Sequence, residues 1–222
     1  MATQAISSPP RKRGRPARDQ HDASLAIRQA ALNVFAQNGF ERASIAEIAK
    51  AANVAKPLIH YHFASKEVLW QSAVSDAQAA LMAETMLFQE RLSHLNPMQS
   101  IEFISEKMVE FAASHPQLVR IVADETGKGG SRAEWLFEKF LLPSYVLGQH
   151  IIDRISKELK LGSAKPKAEH LLPVMLGVMY FPFLEAEIIR RAYGKDVYSN
   201  TYIKRHGKVM FKVLETFFKP DK

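Results

Sequence analysis

Apolar residues recur along this chain at the three-and-four spacing of a helix, and no run alternates as a half-buried strand would. The stripe Ile27, Ala30, Ala31, Val34 and Phe35 predicts a first helix from about Asp22 to Gln37. Asn38-Gly39 ends it, Gly39 being placed for a left-handed cap with Phe40 folding back onto the helix. Ser44, followed three residues on by Glu47, reads as a capping box for a short second helix whose Ile45, Ile48 and Ala49 face inward. Ala52-Asn53-Val54 interrupts the pattern, and Asn53 tolerates the left-handed backbone of a tight turn. Pro57 lacks an amide that a first helical turn leaves unpaired anyway, so a third helix of about two turns follows, carrying Leu58, Ile59, His60, Tyr61 and His62.

Beyond it, Ser65 caps a long helix from Lys66 to about Leu92, and Asn96-Pro97 breaks the chain before a helix from Met98 to Ala113. His115-Pro116 opens a short helix, and glycines follow at 127, 129 and 130. Helices then run from about Arg132 to Leu159 with a bend at Pro143, and the linker Gly162 to Lys167 leads to two last helices, about Ala168–Tyr193 and Tyr202–Phe218. The predicted fold is all-α, with a small three-helix domain over 22–67, a larger helical domain over 68–222, and a segment 1–21 that does not fold alone.

Composition narrows the function. The 222 residues are 47% hydrophobic and carry a net charge of +7, which favours an anionic partner. The charge is concentrated in RKRGRPAR, where Arg11, Lys12, Arg13, Arg15 and Arg18 surround Gly14 and Pro16; the segment reads as a disordered arm that tracks phosphates or enters a minor groove. The absence of cysteine excludes thiol redox sensing, disulfides and thiolate metal sites, and agrees with a reducing cytoplasm. The longest apolar run, Leu171 to Leu184, is interrupted by Pro173 and Pro182 and is too short to span a bilayer, so a buried helix is expected and no membrane partner.

Two short helices around a tight turn, the second ending in aromatic and imidazole side chains, have the form of a helix-turn-helix, which sends its second helix into the major groove. Lys56, Pro57, Leu58, His60 and Tyr61 are then the side chains placed to reach DNA. Tyr61 and Phe63 can instead be core aromatics, a reading that suits Phe63 better than Tyr61. His60 and His62 are two apart on a helix and point to different faces, which makes a poor chelate, and no metal or other cofactor is expected.

The run FAQNGFERASIAEIAKAANVAKPLIHYHFASK, from Phe35 to Lys66, resembles the DNA-binding domain of the TetR/AcrR family of transcriptional regulators. Phe35, Gly39, Phe40, Ser44, Ile48, Ala49, Val54, Tyr61, Phe63 and Lys66 carry the likeness. Asn53 stands where members usually have Gly, and Ala55 where they often have Ser or Thr, so one hydroxyl that caps or meets phosphate is missing. The resemblance implies phosphate contacts from Ser44 and Lys66 and base or phosphate contacts from Lys56, Pro57, Leu58, His60 and Tyr61. It also implies a homodimer on a pseudo-palindromic DNA site, paired through the last two helices; the residues expected there are Leu176, Tyr180, Phe183, Met210, Leu214 and Phe217, which can equally serve the protein's own core.

The expected function is a repressor released from its operator by a small molecule in the second domain. Met108, Phe111, Trp135, Phe140, Tyr145, Tyr180 and Phe183 are candidates to line an apolar pocket, with His115, His150 or Glu187 as polar anchors. The alternative is a ligand-independent architectural or protein-partnered DNA-binding protein, whose second domain would be solidly packed. An enzyme is not expected: there is no G-x-S-x-G elbow, H-E-x-x-H or G-x-G-x-x-G, and the glycines at 127–130 lack the order of a phosphate-binding loop.

Overall fold

The computed structural model describes residues 17–219, the side chains of 17–21 and 85–87 excepted. All regular structure among them is helical. Helix α1 spans Ala17–Arg42, and at Gly39 (φ 71°, ψ 163°) the backbone leaves helical geometry, which is the predicted end of the first helix followed by one further turn. Helices α2 (Ile45–Ala51) and α3 (Lys56–His62) follow, joined through Asn53 at φ 53°. The Ser44–Glu47 capping box forms as the sequence predicts. Helix α4 (Lys66–Leu92) is capped by Ser65, whose hydroxyl accepts from Val68 N at 3.1 Å. Asn96 and Gln99 make a second capping box at the start of α5 (Pro97–Ser114).

Helix α6 (Pro116–Lys128) extends further than its glycines suggest, so the expected loop shrinks to Gly129 and Gly130 at φ 73° and 85°. The stretch after it is helical, as expected, with its irregularity just before Pro143. It divides into α7 (Ser131–Leu136), one π-helical turn at Phe137–Leu141, and α8 (Leu142–Glu158). Pro143 cannot supply the amide hydrogen that would reach the carbonyl of Lys139, and the side-chain amide of Gln78 on α4 donates to that carbonyl.

The helix predicted over Ala168–Tyr193 is likewise two, α9 (Ala168–Leu184) and α10 (Ala186–Tyr193), at 68° to each other. Pro182 removes the amide partner of Val178's carbonyl, which instead accepts from His206 Nε2 at 2.7 Å. Since a carbonyl only accepts, His206 carries its proton on Nε2. The last helix, α11 (Asn200–Phe217), lies along α5. Gly207 permits the approach, because a Cβ there would sit 3.3 Å from the Glu106 backbone.

Two apolar cores organise these helices. In the first, α1, α2, α3 and the beginning of α4 enclose Ile27, Phe35, Ile48, Ile59, Leu69 and Trp70, each 2% exposed or less. It continues past residue 67, through Leu118, Ile121 and Val122 of α6 and Leu136 of α7. The second lies among α5, α8, α9 and α11 around Val109, Ile155, Leu171, Phe183 and Met210. No single helix among the described residues is long and apolar enough to cross a membrane.

Candidate nucleic-acid interface and the cavity behind it

Helix α3 has two unlike faces, and its sequence decides which is which. Ile59 (1% exposed) and Phe63 (6%) are in the first core, with Leu58 half-buried against it. Lys56, Pro57, His60 and Tyr61 are exposed, Tyr61 at 69%. Tyr61 is therefore no core aromatic, and the two histidines separate: His60 faces outward while His62 is half-buried between the rings of Tyr61 and Phe63. The outward residues put a cation, an imidazole and a phenol on one short surface, the donors and flat groups that phosphates and base edges accept.

The flanking candidates are already engaged within the protein. Ser44's hydroxyl accepts from Glu47 N at 3.2 Å and donates to Glu47 Oε2 at 2.9 Å. Hydrogen bonds from the Ser44 backbone N–H and then its hydroxyl hold the Glu47 carboxyl below its ordinary range. Lys66 Nζ donates to the Glu41 carbonyl at 3.1 Å and lies 4.5 Å above the Phe40 ring. Arg11, Arg13 and Arg15 lie outside the described residues. Lys50, exposed at the end of α2, adds a cation that the helix-turn-helix pattern alone does not single out.

Behind the two-helix unit is a charged joint that local sequence patterns do not reveal. Arg132, at the start of α7, places its guanidinium 3.8 Å from the centre of the Phe40 ring. It bonds Glu125 on α6 at 2.8 Å, Glu41 at the end of α1 at 2.9 Å, and approaches Glu67 at the start of α4 at 3.5 Å. Glu125 is 2% exposed, and Arg132 is the cation paired with it there. Burial alone lowers the Arg132 pKa, but the bond and charge of Glu125, with Glu41 and Glu67, outweigh this and raise it. One side chain thus links α7 to α1 and α4. Its partner Glu41 is 91 positions away, a separation that no local periodicity reports.

A cavity of about 280 Å³ opens among α4, α5, α8, α9 and α11. Of the expected pocket residues, Met108, Phe111, Phe140, Tyr145 and Tyr180 line it. The others sit elsewhere. Trp135 packs against Trp70 with ring centroids 5.3 Å apart, on the first core. His115 stacks on Phe111 at 4.5 Å, and Phe183 is 1% exposed beside Tyr198. His150 and Glu187 are not among the lining residues; the Glu187 carboxyl, held down to about 2 by hydrogen bonds from Arg190 and then Arg191, faces outward on α10.

The six residues expected at a subunit contact are all turned inward or half-buried. Leu176, Tyr180 and Leu214 line the cavity, Phe183 and Met210 are core, and Phe217 packs partly buried against that core. The reason is that α11 spends its apolar stripe on α5 and α9. Exposed apolar side chains among the described residues of these helices include Leu142 and Val146 of α8, Val174 and Phe181 of α9, Ile188 of α10 and Val209 of α11.

An exposed recognition-type helix on a small three-helix unit, followed by a hollow helical domain, defines the helix-turn-helix class of two-domain proteins. Residues 27–73 match the model of the bacterial regulatory proteins, tetR family. The likeness to that family is confined to this N-terminal unit. The chain is 37% identical over 95 residues to the A-factor receptor protein of Streptomyces griseus, which is 43% of this chain and 31% of that one. It is 32% identical over 108 residues to the HTH-type transcriptional repressor NicS of Pseudomonas putida, 48% of this chain and 50% of the relative. The chain thus spans half or less of the length of these relatives. The fold reaches further: the transcriptional regulator FadR from Bacillus subtilis, solved in complex with stearoyl-CoA, superposes with a TM-score of 0.61 at 16% identity, covering 86% of this chain and 96% of that one.

Proposed function

We propose that the protein is a sequence-specific DNA-binding transcriptional regulator, a repressor that a small molecule in the cavity releases from its operator. The observation that carries this is the division of α3, anchored by Ile59 and Phe63 while Lys56, Pro57, His60 and Tyr61 stand exposed. Residues 22–67 are the reading domain and 68–222 the regulatory one. In this reading Arg11, Arg13 and Arg15 of segment 1–21 follow the backbone or minor groove, and Lys66 and Ser44 turn to phosphate by exchanging their present partners. Leu58, half-buried, contributes only the part of its side chain that is exposed.

A pseudo-palindromic site requires two copies of α3 related by a two-fold axis, so the working unit is a homodimer. Val146, Val174 and Phe181, on neighbouring helices α8 and α9, supply an apolar face for the partner copy. The protein acts in the cytoplasm, where the DNA is, and performs no catalysis. The alternative, a DNA-binding protein without an effector, calls for a solidly packed second domain, and the cavity of about 280 Å³ argues against it.

Release follows if the molecule prefers a conformation in which the two α3 helices are wrongly spaced for successive major grooves; it shifts the balance by its differential affinity alone. Selection of bound duplexes from a random DNA pool at near-physiological salt tests the reading. A two-fold symmetric motif is expected, and binding without enrichment would favour an architectural role.

A further inference from the structure

The cavity's wall is nearly all hydrocarbon and thioether, and its polar groups can be taken one at a time. Among the described residues Lys107 is the one charged group on it, and its ammonium is 2.5 Å from the Glu110 carboxylate, so its charge is already compensated. Ser144 spends its hydroxyl proton on the Phe140 carbonyl at 2.9 Å. Gln89 is an exposed residue, as is Tyr145 at 38%. Tyr180 is different. Its ring is partly buried, no hydrogen bond is made to its hydroxyl from the described residues, and desolvation, helped by nearby Tyr145, pushes its pKa up to about 12. Its phenol therefore stays protonated and offers a free donor inside an apolar space.

A carboxylate or phosphate entering this space would lose its hydration and meet no uncompensated cation, a cost that such groups avoid by taking up a proton. Size sets a second limit. A dry protein cavity of about 150 Å³ holds benzene, so one of about 280 Å³ holds roughly twice as many atoms. We propose that the cavity takes a neutral, predominantly apolar molecule of about a dozen non-hydrogen atoms with one hydrogen-bond acceptor, which Tyr180 recognises by donating its phenolic proton. That this molecule acts as an effector rests on the regulator reading; its chemical class does not.

The test measures binding of decane, 1-decanol and decanoic acid to the full chain by displacement of an environment-sensitive fluorophore. 1-Decanol is expected to bind with an affinity that does not change between about pH 6 and pH 8. Decanoic acid should weaken about tenfold for each pH unit above its carboxyl pKa, because only the protonated form enters. Tyr180→Phe should weaken 1-decanol by about 3- to 10-fold, the worth of one hydrogen bond, and leave decane unchanged, which also shows that the variant's cavity is intact. Decanoate binding that is pH-independent and as tight as that of 1-decanol, equal loss of decane and 1-decanol in Tyr180→Phe, or no binding of any of the three overturns the proposal. Adding operator DNA separates the two ideas: 1-decanol that binds but leaves the DNA complex intact refutes the release mechanism and leaves the ligand class standing, whereas release by ionised decanoate does the reverse.

Discussion

The two halves of this chain are built from similar apolar side chains at similar helical spacing, yet one is filled and the other is hollow. Around α3, Ile48, Ile59, Leu69 and Trp70 are 1% exposed or less and close on one another. Among α4, α5, α8, α9 and α11, residues of the same kind leave about 280 Å³ between them. An apolar stripe fixes which face of a helix turns inward; whether the inward faces meet depends on how far apart the helices are held, and here the breaks at Phe137–Leu141 and Glu185 and the close α5–α11 contact at Gly207 hold them. The filled half presents a fixed surface, and the hollow half has room to change.

Matched truncations put the largest stress on this contrast. Leu69→Ala, in the filled core, should cost about 3–4 kcal/mol in urea unfolding, whereas Leu176→Ala, already beside empty space, should cost roughly 1 kcal/mol. Equal losses would mean the second domain is as tightly packed as the first. Arg132→Met strikes the joint between the halves and leaves Glu125 buried without its counter-charge, a loss of about 3 kcal/mol that Glu125→Gln in the same background should partly restore. If the double variant is no more stable than the single one, the guanidinium holds the joint through Phe40 and Glu41 instead.

A smaller effect is expected at the surface of the filled half. Tyr61→Ala should weaken DNA binding about tenfold and change stability by less than about 0.5 kcal/mol, since the ring is 69% exposed. The smallest concerns α10. Glu187 has a folded pKa of about 2 against an ordinary 4.5, so its ion pairs stabilise above the ordinary value and that contribution disappears as pH falls through the folded one. The melting temperatures of the protein and of Glu187→Gln should therefore differ slightly at neutral pH and converge towards pH 2. A difference that persists at that pH would assign it to packing.

What was legible in the sequence is what short stretches decide. Ser44 and Ser65 cap where local chemistry says they do, Gly39 and Asn53 take their left-handed backbones, and α3 turns Tyr61 outward and Phe63 inward. The pocket was legible only in part, because Trp135 and Phe183 look no different along the chain from Phe111 and Tyr180. Their places depend on partners far away, Trp70 for one and Tyr198 for the other. The last helix is open in the sequence to a subunit contact or to the protein's own core; that α5 covers it follows only from the packing of the folded chain.

Pro143 and Pro182 each release a carbonyl from their own helix, and a side chain from another helix takes it, Gln78 in one case and His206 in the other. Each arrangement makes two distant positions mutually dependent. Restoring an amide at 143 or 182 would leave Gln78 or His206 competing for an acceptor that its own helix reclaims, while losing Gln78 or His206 would strand the carbonyl. These pairs should therefore drift through evolution together or not at all, and the irregular turns that shape the cavity would be inherited as matched sets.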